Sequence, residues 1–170
     1  MKQNAKKTTV AAILAAMSVI CIVFAGLTPF MKLSLYALAS FFPAIMIIEF
    51  RGKGAVGLYA ATSILGLILS MNKLGILPYI MFFGLYGILK YYIEKIENAF
   101  LQLILKGIFF AGVFAAAFFL LNEFFFAEIS LPDVGTPLLF GGAIIFFYFY
   151  DALFSAVVYF YLNQIHPHIK

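Results

Sequence analysis

From Thr8 to Phe24 the chain reads TTVAAILAAMSVICIVF, a run that no charge interrupts and that three lysines, Lys2, Lys6 and Lys7, precede. A segment of this length and polarity is a helix for lipid, because only there does its whole apolar circumference find a suitable solvent. A secretory signal would have a shorter apolar region, and no convincing small-x-small cleavage site follows before Pro29. Composition extends the reading to the whole chain. At 65% hydrophobic and 11% charged residues, with a mean hydropathy of +1.09, 170 residues describe an integral membrane protein and not a soluble domain.

Six runs long enough to span follow one another, at Thr8–Leu27, Leu33–Phe50, Ala55–Ser70, Leu74–Tyr92, Ala99–Leu121 and Pro137–Leu162. The breaks between them carry turn residues: Thr28 and Pro29, the Arg51-Gly52-Lys53-Gly54 run, Asn72 with Lys73, and Pro132 through Pro137. The predicted fold is all-α, a six-helix transmembrane bundle forming a single membrane domain over residues 1–170. With the N-terminus inside, Lys2, Lys6, Lys7, Arg51, Lys53, Lys90, Lys95, Lys106 and Lys170 fall inside and only Lys32 and Lys73 outside. That bias predicts both termini in the cytoplasm. Lys106, within the fifth run, is expected to snorkel to the near interface.

Several function classes drop out. Cys21 is the single cysteine, so there is no disulfide framework or thiolate metal cluster, and the scattered basic residues mark helix ends, not a nucleic-acid surface. The chain carries no GxxxxGK[ST] phosphate loop, no HExxH and no GxSxG, and its histidines, His166 and His168, sit in a terminal HPH segment. No enzyme, cofactor or metal site is expected, and no sequence duplication supports an inverted-repeat transporter.

Function in such a chain should show at polar residues inside the spans, where an ionisable group is costly. Tyr148, Asp151, Ser155 and Tyr159 follow at spacings of three, four and four on one face of the sixth run. Tyr79, Phe83, Tyr86 and Lys90 repeat the pattern in the fourth. At 1.5 Å per residue Asp151 and Lys90 lie at similar depth, about 20 Å and about 22 Å below the outer surface, and Glu49 is a competing partner for Lys90. Two readings stand side by side: a charged group that fixes helix register, and a solute site built from Tyr79, Tyr86, Tyr148 and Asp151 with Asn72 and Glu123 at its mouth.

The alanines of the first run fall at Ala11, Ala12, Ala15 and Ala16, a paired Ala-x-x-x-Ala spacing that makes a smooth strip for close approach of another helix. Six spans, both termini inside, a basic N-terminal tail and this strip together resemble the substrate-binding S component of energy-coupling-factor transporters. The resemblance covers the layout of the whole chain and is specific only in the first span. It implies a subunit of the bacterial plasma membrane that binds a vitamin-like small molecule from outside. By the same resemblance, Ala11, Ala12, Ala15 and Ala16 dock a coupling transmembrane subunit that carries two ATPases. The alternatives are an accessory membrane subunit without a solute ligand, and a small proton-linked carrier with Asp151 as its relay.

Overall fold

A computed structural model describes residues 2–50, 52–70, 73–125 and 136–165, with the backbone alone at 2–6, 29, 118–125, 136–139 and 165. Every described element is helical: α1 (Lys2–Leu27), a short 3-10 turn (Pro29–Met31), α2 (Lys32–Phe50), α3 (Gly52–Leu69), a π-helical turn (Tyr79–Phe83) running into α4 (Gly84–Ile93), α5 (Ala99–Phe125) and α6 (Thr136–Phe160) with a closing π turn (Tyr161–Ile165). Among the described residues five helices are long and apolar enough to cross a membrane, and Tyr79–Ile93 is a shorter apolar sixth. The chain is an all-α, multi-pass membrane protein. Its contacts gather into two compact units, Met1–Glu97 and Asn98–Lys170.

In the first unit α2 is the central rod, packing against α1, α3 and α4. Its buried positions, among them Tyr36, Ala39, Phe42, Ala44, Met46 and Ile47, cover most of its circumference, whereas α1 is one-sided. Leu14, Ser18, Ile22 and Ala25, at helical spacing, face inward, while Ile13, Met17, Ile20 and Phe24 face out. Leu14, Phe42, Met46, Ile47, Ala55, Leu58 and Ile88 form one core cluster drawn from four helices. Close approach of α3 to its neighbours depends on glycine. A Cβ at Gly84 would stand 2.7 Å from the Tyr59 ring, and one at Gly66 would collide with Ile76.

The fourth run departs from its expected limits of Leu74–Tyr92. Residues 73–76 form a turn, helix resumes at Leu77, and the regular apolar piece is five π-helical and ten α-helical residues. Pro78 explains the late start, since a proline fits best in a first helical turn, where no N–H is required of it. The result is a rod of about 22 Å against a hydrocarbon core of about 30 Å.

The second unit is a helical hairpin. Asn98 opens it as an N-cap, its Oδ1 accepting from the backbone N–H groups of Phe100 at 3.0 Å and Leu101 at 3.3 Å. The two rods run antiparallel, because their partners pair in reverse order: Phe114 with Phe140 at 5.0 Å between ring centroids, Phe110 with Phe147 at 4.5 Å, and Lys106 with Asp151 at 3.2 Å.

Candidate functional site

Two polar clusters occupy the interiors of the two units. The first is a chain of hydroxyls. Tyr79 is fully buried, and its hydroxyl lies 2.9 Å from Thr62 Oγ1 and 3.2 Å from Ser18 Oγ, which in turn donates to the Ala39 carbonyl at 3.3 Å. Ala39 is four residues before Pro43, inside α2, and a proline offers no N–H to the carbonyl four positions back. The carbonyl that Pro43 leaves unserved by the helix therefore receives its proton from Ser18. With its proton on Ala39, Ser18 can only accept from the Tyr79 hydroxyl, while the Thr62 hydroxyl has the Tyr59 carbonyl as an acceptor at 3.0 Å besides its contact with Tyr79.

Two further tyrosines brace the irregular backbone around α4. Tyr36 donates to the Gly75 carbonyl and Tyr59 to the Ile80 carbonyl, each at 2.7 Å, at the turn and in the π segment respectively. Hydroxyls that serve carbonyls in irregular backbone are a recurrent way to make such backbone tolerable in lipid. Tyr86, also fully buried, stacks on Phe82 at 5.3 Å and has the Lys90 ammonium 5.8 Å from its ring centroid. Lys90 is 2% exposed and pairs one turn on with Glu94 at 2.9 Å. In this unit the fourth-run stripe is packed and engaged in internal bonds.

The second cluster lies in the hairpin. Asp151 Oδ2 accepts from Lys106 Nζ at 3.2 Å, with the two side chains 17% and 8% exposed, and Ser155 Oγ donates to the Asp151 backbone carbonyl at 2.9 Å. Lys106 is the eighth residue of α5, two turns from its start, and Asp151 lies about halfway between Thr136 and Ile165. Instead of snorkelling as expected, the Lys106 ammonium turns onto the carboxylate. Tyr148 stands one turn away, and a Cβ at Gly107 would come 3.0 Å from its hydroxyl. Phe147 stacks on Phe110 with an interplanar angle of 13°, so the ion pair is flanked by an aromatic layer.

Each of the two charges singled out by depth, Lys90 and Asp151, thus has a partner within its own unit. Lys106 is the residue that sequence reasoning missed as a partner. The available signal was spacing: Lys106, Phe110 and Phe114 recur every four residues on α5 and face Asp151, Phe147 and Phe140 on α6. The structure groups Tyr148 with Asp151 in the hairpin and Tyr79 with Tyr86 in the first unit. Asn72 lies outside the described residues, and Glu123 belongs to α5 with only its backbone described. The alanine strip divides. Ala11 and Ala15 are half-buried against the core cluster, whereas Ala12 and Ala16 are exposed. Among the described residues no group of His, Cys, Asp and Glu is arranged to hold a metal ion.

Compared with protein families, curated proteins and solved structures, the chain matches none.

Proposed function

We propose that this protein is a membrane-embedded solute-binding subunit of an importer of the energy-coupling-factor type, taking up a vitamin or similar micronutrient. It draws its energy from a separate coupling subunit with two ATPases. The observation that carries the reading is the Lys106–Asp151 pair between the two apolar helices of the hairpin, with Tyr148 beside it. Charges placed there are costly, and they tend to mark solute or ion paths in membrane proteins. Two features support the division of labour: the sequence has no phosphate-binding loop of its own, and Ala12 with Ala16 leaves a smooth outward strip on α1 for another helix. In this reading both termini face the cytoplasm.

The hydroxyl chain favours a second reading. Tyr79 and Tyr86 are consumed in internal packing and hydrogen bonding, as they would be in an accessory subunit that binds no solute. Native mass spectrometry of the protein purified in mild detergent separates the two. A bound small molecule, lost in Asp151→Ala, is the outcome expected of the importer subunit. A partner protein with no small molecule in repeated preparations overturns that reading in favour of the accessory one.

A further inference from the structure

The two ends of the first unit differ in charge, and the more basic one is built around the start of α3. We propose, independently of the importer reading, that this end holds an anionic phospholipid by its phosphate. Here α1 and α3 begin and α2 and α4 finish. The sequence places seven lysine and arginine residues at this end: three from Lys2 to Lys7, Arg51 and Lys53 at the α2–α3 junction, and Lys90 and Lys95 around the end of α4. Against them stand three glutamates, Glu49, Glu94 and Glu97, of which Glu94 pairs with Lys90. Even with every glutamate paired, four cations are left over. Basic clusters of that size beside a membrane span attract anionic headgroups. The opposite end of the unit has Lys32 and Lys73.

Packing gathers these charges from three elements onto the first residues of α3. Lys7 of α1 lies across Gly54, its Cε and Nζ 3.2 Å and 3.6 Å from where a Cβ would stand. At Gly52 the close neighbour is the Tyr92 hydroxyl, with which a Cβ would collide, and the Lys95 ammonium sits 5.3 Å from the Tyr92 ring centroid. Lys53, between the two glycines, is exposed. Two ammonium groups and a phenolic hydroxyl therefore flank Lys53, and all four groups are donors that suit a phosphodiester. Depth selects a lipid over a free phosphate. The apolar stretches of α1 and α3 start at Lys7 and Gly52, which sets these groups at the level of the headgroups. Below Lys53, the exposed residues Val56, Gly57, Ala60 and Ile64 continue along one side of α3 and give the acyl chain of that lipid an apolar bed.

Native mass spectrometry of the full chain in detergent, titrated with dioleoyl phosphatidylglycerol or dioleoyl phosphatidylcholine, tests the assignment with the acyl chains held constant. The expected result is retention of phosphatidylglycerol in preference to phosphatidylcholine, a preference that falls as ionic strength rises. Lys7→Gln with Lys53→Gln should cut it by roughly tenfold, as the loss of two lysines at an anionic surface implies. Lys32→Gln with Lys73→Gln removes the same charge from the opposite end and should leave it unchanged. Equal retention of the two lipids overturns the proposal, as does a preference that salt does not weaken, a readout that needs no variant to fold. An equal loss in the two double variants overturns it as well, because the preference would then follow net charge and not this end. Displacement of bound phosphatidylglycerol by inorganic phosphate at equal concentration also overturns it, since the site would then take a phosphate without its chains.

Discussion

Pro43 and Asp151 are unfavourable residues in a membrane helix, and each is made tolerable by one hydroxyl or one ammonium from a neighbouring rod. Ser18 serves the carbonyl that Pro43 deprives of its helical donor, so removing the hydroxyl takes that donor from Ala39 and leaves Tyr79 with Thr62 alone. Ser18→Ala should destabilise the protein by about 1–2 kcal/mol, the upper part of the range for hydrogen bonds inside membrane proteins. The same substitution in a Pro43→Ala background, where residue 43 regains its N–H, should cost less, by about 0.5–1 kcal/mol; equal costs in the two backgrounds, measured by reversible unfolding in mixed micelles, would break the link between Ser18 and the proline. At the ion pair the asymmetry is larger. Lys106→Ala strands a carboxylate and should cost about 3 kcal/mol, while Lys106→Met with Asp151→Leu should return most of that loss. A double variant as unstable as the single one would mean that Lys106 acts through packing of its stem and not through its charge.

At the scale of the helix, periodicity and turn residues made the elements legible, and neighbourhood was what they left out. Five of the six apolar runs become helices within a few residues of their expected ends, apart from extensions such as α1 back to Lys2, because long uncharged stretches between Gly, Pro and Asn breaks have few alternatives in lipid. The fourth run starts three residues later than expected, at Leu77, because hydropathy continues smoothly through Leu74–Leu77, whereas Pro78 and the Gly75 turn act on backbone geometry that hydropathy does not register. Equal depth suggested Lys90 as a mate for Asp151, yet depth says nothing about which rods touch. The α5–α6 register, visible in the four-residue repeat ending on Lys106, carried that information. The alanine strip was legible as small residues and illegible as a surface, since its halves point to different sides of α1. Leucine at Ala11 and Ala15 should overfill the packing against the core cluster and destabilise the protein by about 1–3 kcal/mol. Leucine at Ala12 and Ala16 should change stability by no more than about 0.5 kcal/mol and abolish co-purification of a coupling subunit. Normal co-purification with both outward alanines filled would remove that strip as the docking surface.

For the molecule as a whole, the helix Tyr79–Ile93 decides the topology. The five long rods among the described residues would by themselves put the two termini on opposite sides, and a crossing by this shorter one brings them to the same side. At about 22 Å it falls short of an average hydrocarbon core by several ångströms, a mismatch that local thinning and anchoring side chains can absorb at a fraction of a kcal/mol per ångström. Its ends carry such anchors. Lys90 and Glu94 pair near one end, where the Lys95 ammonium sits 4.4 Å from the Tyr91 ring centroid. At the other end the turn over residues 73–76 is held by the Tyr36 hydroxyl, so its irregular backbone is bonded within the unit and need not reach the interface. A full crossing also agrees with the charge pattern, since it leaves Lys90, Lys95 and Lys106 on the side of Lys2, Lys6 and Lys7. Reporter fusions at the N-terminus and after Lys170 should therefore both register the cytoplasm. Fusions reporting opposite sides would mean that Tyr79–Ile93 stays within one leaflet. The polarity of α5 and α6 would then invert, placing the helix ends near Asn98 and Ile165 outside, and the inward-facing termini assumed for the importer subunit would have to be abandoned.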